Sequence, residues 1–320
     1  MPEVACLGDV NLDVLLYVDK LPKLGSESLA SHLELRPGGA AANVAVALSR
    51  LGVPTGFIGA VGEDPFGRML EENLNNEGVD TSLLQIVKDD HTGLAIIAVT
   101  RDGERTMLGY RGANRRLTLE AIVEEYFGSL RLLFISGYAL LESPQKNATR
   151  KALDTARRLG SLIAIDISEP LAAMGLGEVN RLIGRVDYIF VNEREALLLA
   201  GALGGLGELT RRLARVVVVK RGGAGAQVFS NSGSFTAPAF KIEVVDTTGA
   251  GDAFDAGFIY GVLHGLKLEE CLILANAVAA WKCTGRGSRH LPTLKELKRF
   301  LEEKNLGSLA RNLPKPAKEF

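Results

Sequence analysis

The chain has 320 residues, 47% hydrophobic and 23% charged, an ordinary globular balance with ample material for a large core. Lys plus Arg number 37 and Asp plus Glu 38, so a net charge of −1 excludes any broad attraction to nucleic acid or an anionic membrane, and phosphate chemistry must rest on a local site. Three widely spaced cysteines argue against a disulfide framework or a zinc site, no stretch approaches the ~18 apolar residues of a membrane span, and no signal-peptide pattern opens the chain, so a cytoplasmic protein is expected.

In chain order, Val4–Leu7 reads as a strand running into the polar turn Gly8-Asp9-Val10-Asn11, and Leu12–Val18 continues as a second extended segment. Pro37-Gly38-Gly39 breaks the chain before a helix with Val44, Leu48 and Leu51 at helical spacing, stopped at Gly52. Phe57–Val61 is a buried strand, and a helix runs from Phe66 toward Glu77. Leu94–Thr100 and Arg105–Tyr110 flank Asp102-Gly103, a hairpin signal, and with the segment from Leu12 to Leu35 they suit a small sheet beside the main body. From Leu132 the pattern alternates: strands Leu132–Ser136, Leu162–Ile167, Tyr188–Val191 and Val216–Val219, with helical stretches between. That rhythm predicts a mostly parallel sheet covered on both faces. A helix spans Cys271–Cys283, and the polar tail after Gly307 is expected to fray.

Ile242–Val245 reads as a strand, followed by Asp246-Thr247-Thr248-Gly249-Ala250-Gly251-Asp252 and a helix with Phe254, Phe258, Val262 and Leu266 on its apolar positions. A glycine turn that opens a helix presents unpaired N–H groups and the positive dipole end to an anion. The amides of Gly249, Ala250 and Gly251 would form the anion hole, and Asp252 at its edge could take a proton from a hydroxyl. Position alone serves helix capping equally well. No P-loop motif occurs, and Phe254 stands where a dinucleotide fingerprint needs a small residue.

Three stretches in order, Gly38-Gly39-Ala40-Ala41-Ala42-Asn43, Gly62-Glu63-Asp64-Pro65-Phe66-Gly67 and Asp246–Phe254, resemble the signatures of PfkB/ribokinase family carbohydrate kinases and span nearly the whole chain. The resemblance implies a single ribokinase-like α/β domain over residues 1–320. Its mostly parallel central sheet would be flanked by helices, with segments at about 12–36 and 92–112 forming a small β-sheet lid. It implies ATP-dependent phosphorylation of a small sugar, with Asp252 as base and Mg²⁺ as cofactor. Exposed edges of the small sheet would suit pairing as a homodimer. Asn11, Asp13, Gly39 and Asn43 would bind sugar hydroxyls. Asn192 would serve the nucleotide site, and Glu195 would organise Mg²⁺ through water; a capping pair is the alternative for these two. Lys220, Gly222, Gly223 and Gly225 resemble the loop along ATP, and Asn276 a position near adenine. Asp246, Thr248 and Gly287 correspond to a K⁺ site of many members.

The acceptor is less defined. Ala40 after the two glycines is similar to fructokinase and acid-sugar kinase versions, whereas Asn11 and Asp13 look more like ribokinases or nucleoside kinases. Glu142 sits where ribokinases place a sugar-contacting acid, or simply starts a helix. Arg111 could pair with a carboxylate or phosphate on the substrate, or be a solvated lid residue. A nucleoside kinase and a 2-keto-3-deoxygluconate-type acid-sugar kinase are the alternatives to a ribokinase- or fructokinase-like enzyme.

Overall fold

The computed structural model describes residues 1–201 and 205–314. Thirteen strands form in chain order among them: β1 (Val4–Leu7), β2 (Asn11–Val18), β3 (Ala30–Gly38), β4 (Thr55–Gly62), β5 (Asp80–Val87), β6 (Gly93–Val99), β7 (Arg105–Tyr110), β8 (Leu132–Ser136), β9 (Leu162–Asp166), β10 (Val186–Asn192), β11 (Ala214–Lys220), β12 (Ala226–Ser230) and β13 (Gly233–Ala237). Nine make one sheet in the order β13-β12-β11-β10-β9-β8-β1-β4-β5, parallel except for the antiparallel edge pair β12 and β13. The other four make a separate sheet, β3-β2-β6-β7, with only β2 and β6 parallel.

The large sheet is buried on both faces because its strands are apolar at successive positions. In β1, Val4 and Cys6 enter the core cluster that contains the helices Ala40–Arg50, Ala250–Leu263 and Leu268–Cys283. Ala5 and Leu7 point to the opposite cluster, with Gln145–Leu159 and Glu193–Ala200. In the helix Ala250–Leu263, Phe258 is wholly buried and meets Phe190 and Tyr188 edge-on, at 5.5 and 6.0 Å between centroids. The small sheet is one-sided. Its inner face buries Leu15, Ala95 and Ile97, while Leu33, Leu35, Ile96 and Leu108 lie exposed on the outer face.

Three expectations need correction. Ile242–Val245 is not a strand: Val244 and Val245 are exposed, and the Val245 amide donates to Cys283 O at 2.8 Å, at a helix end rather than a sheet edge. The helix expected to reach Leu266 ends at Leu263. The chain beyond Gly307 forms the helix Gly307–Asn312, with Leu309, Ala310 and Leu313 buried; the expected fraying of the last residues, 315–320, lies outside the described residues.

Deleting the Phe258 ring should leave a cavity between the sheet and the Ala250–Leu263 helix. Phe258→Ala is expected to lower unfolding stability by about 3–5 kcal/mol in urea denaturation, with the slope m unchanged.

Candidate active site

The carboxyl ends of the parallel strands face one crevice, where open α/β sheets bind ligands. From β1 the chain passes to β4 on one side, whereas β8 through β11 build outward on the other. Asp9, Ser136, Asp166, Asn192 and Lys220 all lie at or just past those strand ends.

Asp252 occupies the first turn of the Ala250–Leu263 helix, whose cap Gly249 has φ 74°. A side chain at Gly249 would also press on Ser288. The Ala250 amide donates to Thr247 O at 3.1 Å, so it is spent on the turn, while those of Gly249 and Gly251 have no such bond among the described residues. Of the three expected anion-holding amides, two therefore remain open.

Asp252 Oδ2 accepts from Asn43 Nδ2 at 2.7 Å. Asn43 Oδ1 in turn accepts from Arg289 Nε at 3.2 Å. A guanidinium only donates, so it fixes the orientation of the Asn43 amide and aims its NH₂ at the carboxylate. Burial, followed by the charge of Asp166, pushes Asp252 up to about 6 against the pull of Asn43, Lys220 and Arg289. Asp13 rises to about 6 as well, first by burial and then by Asp252, against Arg289 and Arg36. Gly38 leaves room for the Asp13 carboxylate, which would be 2.5 Å from a Cβ there. Gly39 has φ 97° and packs on the Asp9 backbone, so glycine is required. Asn11 Oδ1 accepts from Asn114 Nδ2 at 2.8 Å, and the buried Asn114 also brackets the Val10 backbone, at 2.9 and 3.0 Å. Asn11, Asp13, Gly39, Asn43 and Asp252 thus converge.

Arg111 lies close by but is engaged. Asp9 takes it bidentately at 2.9 and 3.0 Å, Gln145 Oε1 at 2.5 Å, Tyr138 O at 2.9 Å and Glu142 at 3.3 Å. Glu142, half exposed, is shared between Arg111 and Arg115.

On the other side of the Gly249–Asp252 turn lies a cleft of about 250 Å³, lined by Lys220, Gly222, Gly223, Gly225, Gly251 and Asn276 with apolar Phe240, Ile242 and Val244. The Asn276 NH₂ is spent on the carbonyls of Ala237 and Pro238, both at 3.2 Å. Lys220 Nζ is bonded to Asp166 at 2.7 Å and to Asp255 at 3.1 and 3.2 Å, yet lies only 3.5 Å from where a Cβ on Gly251 would be. Asn192 and Glu195 cap their helix reciprocally, each bond 2.8 Å, and burial with Asp166 nearby pushes Glu195 up to about 7.

Asp246, Thr248 and Gly287 meet at the base of the small sheet. Asp246 Oδ1 accepts from Arg105 Nη2 at 2.7 Å and from Thr248 N and Oγ1 at 2.9 and 2.7 Å; Oδ2 accepts from Gly287 N at 2.8 Å. Its main-chain oxygen accepts from Lys282 Nζ at 2.5 Å. These contacts hold the Asp246 carboxyl well below the ordinary range against its burial.

Sequence reasoning did not single out Asp9, Asp166, Asp255, Lys282 or Arg289. Two had a readable signal: Asp255 falls one helical turn after Asp252, and Lys282 is the one charged residue in the mostly apolar stretch from Cys271 to Cys283.

The model of the pfkB family carbohydrate kinases matches residues 1–294. The ATP-dependent ribose-1-phosphate kinase of Halopiger xanaduensis is 35% identical over 95% of this chain and 99% of its own. The 5-dehydro-2-deoxygluconokinase of Geobacillus kaustophilus is 34% identical over 86% and 87%. Among solved structures, an uncharacterized sugar kinase of Pyrococcus horikoshii is 28% identical, with a TM-score of 0.80 over 97% of this chain and 99% of that one. A putative ribokinase II of E. coli, solved with ATP and Mg²⁺, is 25% identical with a TM-score of 0.83 over 95% and 100%. By the family match, the identities and the fold together, this chain belongs to the pfkB family of carbohydrate kinases.

Proposed function

We propose that this enzyme transfers the terminal phosphoryl group of ATP to a hydroxyl of a small sugar, with Asp252 as the base. The observation that carries the reading is the Arg289–Asn43–Asp252 chain, which fixes one carboxylate oxygen at a helix start between a polar pocket and a cleft. Asp252 takes the hydroxyl proton while the sugar oxygen bonds to the γ-phosphorus and the bond to the β,γ-bridging oxygen breaks, releasing ADP. The open amides of Gly249 and Gly251 and the helix dipole stabilise charge on the moving group. Asn11, Asp13, Gly39 and Asn43 hold sugar hydroxyls.

The cleft lined by Gly222, Gly223, Gly225 and Asn276 takes the nucleotide, its apolar wall suiting a flat base. Lys220 lies beside Gly251 and can reach a phosphate while it compensates Asp166 and Asp255. Glu195 would hold Mg²⁺ through water; its carboxyl is buried and undercompensated, which suits an added cation. The ion would neutralise phosphate charge. Potassium is left out of this reading, because Arg105, Arg36 and Lys282 already bring three cations to Asp246. The strands β2, β3, β6 and β7 act as a lid on the single domain that excludes competing water. Their exposed outer leucines suit a dimer, which sedimentation as a monomer would exclude. A cytoplasmic location goes with the use of ATP.

A second reading, an acceptor carrying an acid group, is favoured by Arg289: its Nη2 is buried without a partner among the described residues, beside Asn43. Both curated relatives cited above are named for acidic sugars. Assaying ADP release with ribose 1-phosphate, 5-dehydro-2-deoxygluconate, ribose, fructose and adenosine decides it. Turnover on neutral sugars alone would reject the acidic acceptor.

Asp252→Asn should lower kcat about 10²–10⁴-fold with little change in substrate affinity; near-normal turnover would remove the assigned role. The base must be unprotonated, so kcat/KM should fall as pH drops through about 6, an apparent value belonging to Asp252 and Asp13 jointly.

The same residue should show in stability. A carboxyl whose native pKa is raised contributes stability that is complete below its unfolded value and lost as pH rises through about 6. Asp252→Asn does not titrate, so its melting temperature should gain on wild type between pH 4 and 7; a constant difference would contradict the raised pKa.

Lys220→Met should leave Asp166 and Asp255 unpaired and cost about 3–5 kcal/mol in denaturant unfolding without nucleotide. A change confined to KM for ATP would mean that Lys220 serves the nucleotide alone.

A further inference from the structure

A monovalent metal ion at the base of the lid needs a ring of oxygens with free lone pairs. Asp246 offers few of them. Its Oδ1 carries three donors, from Arg105 and from the amide and hydroxyl of Thr248. Its Oδ2 carries the Gly287 amide at 2.8 Å and faces Arg36 at 3.9 Å. Its main-chain oxygen holds Lys282 Nζ at 2.5 Å. Arg105 and Arg36 flank the carboxylate and Lys282 holds the main-chain oxygen of this one aspartate, and three cations gathered there would repel a metal ion, so the residues do not fit one.

Lys282 has no exposed surface and sits in the last turn of the Leu268–Cys283 helix, where the dipole favours a cation. An ammonium placed there without a purpose would cost several kcal/mol of desolvation. Cys283, the next residue, accepts from the amides of Val245 and Asp246 at 2.8 and 3.3 Å. The helix end and the ammonium together pin the turn that leads into Gly249, Gly251 and Asp252. We propose that the Lys282 ammonium is a tethered cation that takes the place of a monovalent metal ion at the Asp246 turn, so that this enzyme needs no K⁺. The effect on turnover rests on the reading of that turn as the phosphate-holding element; the effect on stability does not.

The experiment compares melting temperature, and ADP release with ribose 1-phosphate as acceptor, in K⁺ and in tetramethylammonium at equal ionic strength. Wild type should show the same melting temperature and rate in both. Lys282→Ala should lose about tenfold or more in rate and melt lower in tetramethylammonium, and K⁺ or methylammonium should restore part of both. Lys282→Met, which fills the space without charge, should stay slow in every salt. A wild type stabilised or activated by K⁺, or a Lys282→Met protein as fast as wild type, would overturn the proposal. The wild-type comparison holds even if neither variant folds, and the melting readout holds even if ribose 1-phosphate is not turned over.

Discussion

The site depends on one buried ammonium among carboxylates. Lys220 bridges Asp166 and Asp255, and Asp252 and Glu195 lie within reach of the same field. Without that positive charge, Asp252, Asp255 and Glu195, clustered near the carboxyl ends of the strands, would be pushed up further still by burial and their acidic neighbours. With it, burial and Asp166 still push Asp252 up, while Asn43, Lys220 and Arg289 pull it back, and the balance settles at about 6. A base is most useful there, ionised near neutrality yet still basic. Asp255 on the same helix is also pushed well up by burial and by Asp166, and it gains from Lys220 what Asp252 gains from Asn43.

A second carboxylate, Asp246, ties the small sheet to the large unit. Arg105 reaches it from β7 and Arg36 from β3, while Lys282 approaches from the helix below. The position of the small sheet and of the glycine turn before Asp252 is therefore referred to the same group. A second junction is built likewise: Asp64 accepts from Gly67 N to cap a helix and from Thr92 N and Oγ1, each at 2.8 Å, just before β6. The Gly62–Gly67 stretch, one of the three that resemble family signatures, serves this junction.

The legible features were those carried by local chemistry. Continuous apolar runs marked β1, β8, β9, β10 and β11, and Asp102-Gly103 marked the β6–β7 hairpin, because periodicity and turn residues act over a few positions. The glycine turn before Asp252 was legible for the same reason. The edge hairpin β12–β13 was not: its strands are only five residues each, Gly233–Ala237 is largely polar, and their place is set by pairing, β12 to β11 and β13 to β12. Ile242–Val245 looked like a strand because valine and isoleucine favour extended backbone, but no neighbouring strand is there to pair with it. Sequence leaves Arg111 open between a substrate partner and a solvated lid residue, because its actual partners Asp9, Glu142 and Gln145 lie about thirty or more residues away in the chain. Arg289 was unreadable for the same reason, since its meaning comes from Asn43, which lies 246 positions earlier.

The partners of these arginines bear on what the pocket can bind. Arg111 is neutralised by Asp9 and Glu142, Arg36 by Glu34 and Asp246, and Arg105 by Asp246. Arg289 forms no ion pair with an acid among the described residues; it donates to two amides, Asn43 and Asn73, and leaves Nη2 unused. Burial draws its pKa down to about 10, the cost of holding a guanidinium without a carboxylate. Asp13 and Asp252 are near enough to feel its charge, but neither bonds to it. A cation kept underpaired beside the acceptor pocket is stabilised most by an anion that arrives with the substrate, and a neutral sugar would leave that cost in place.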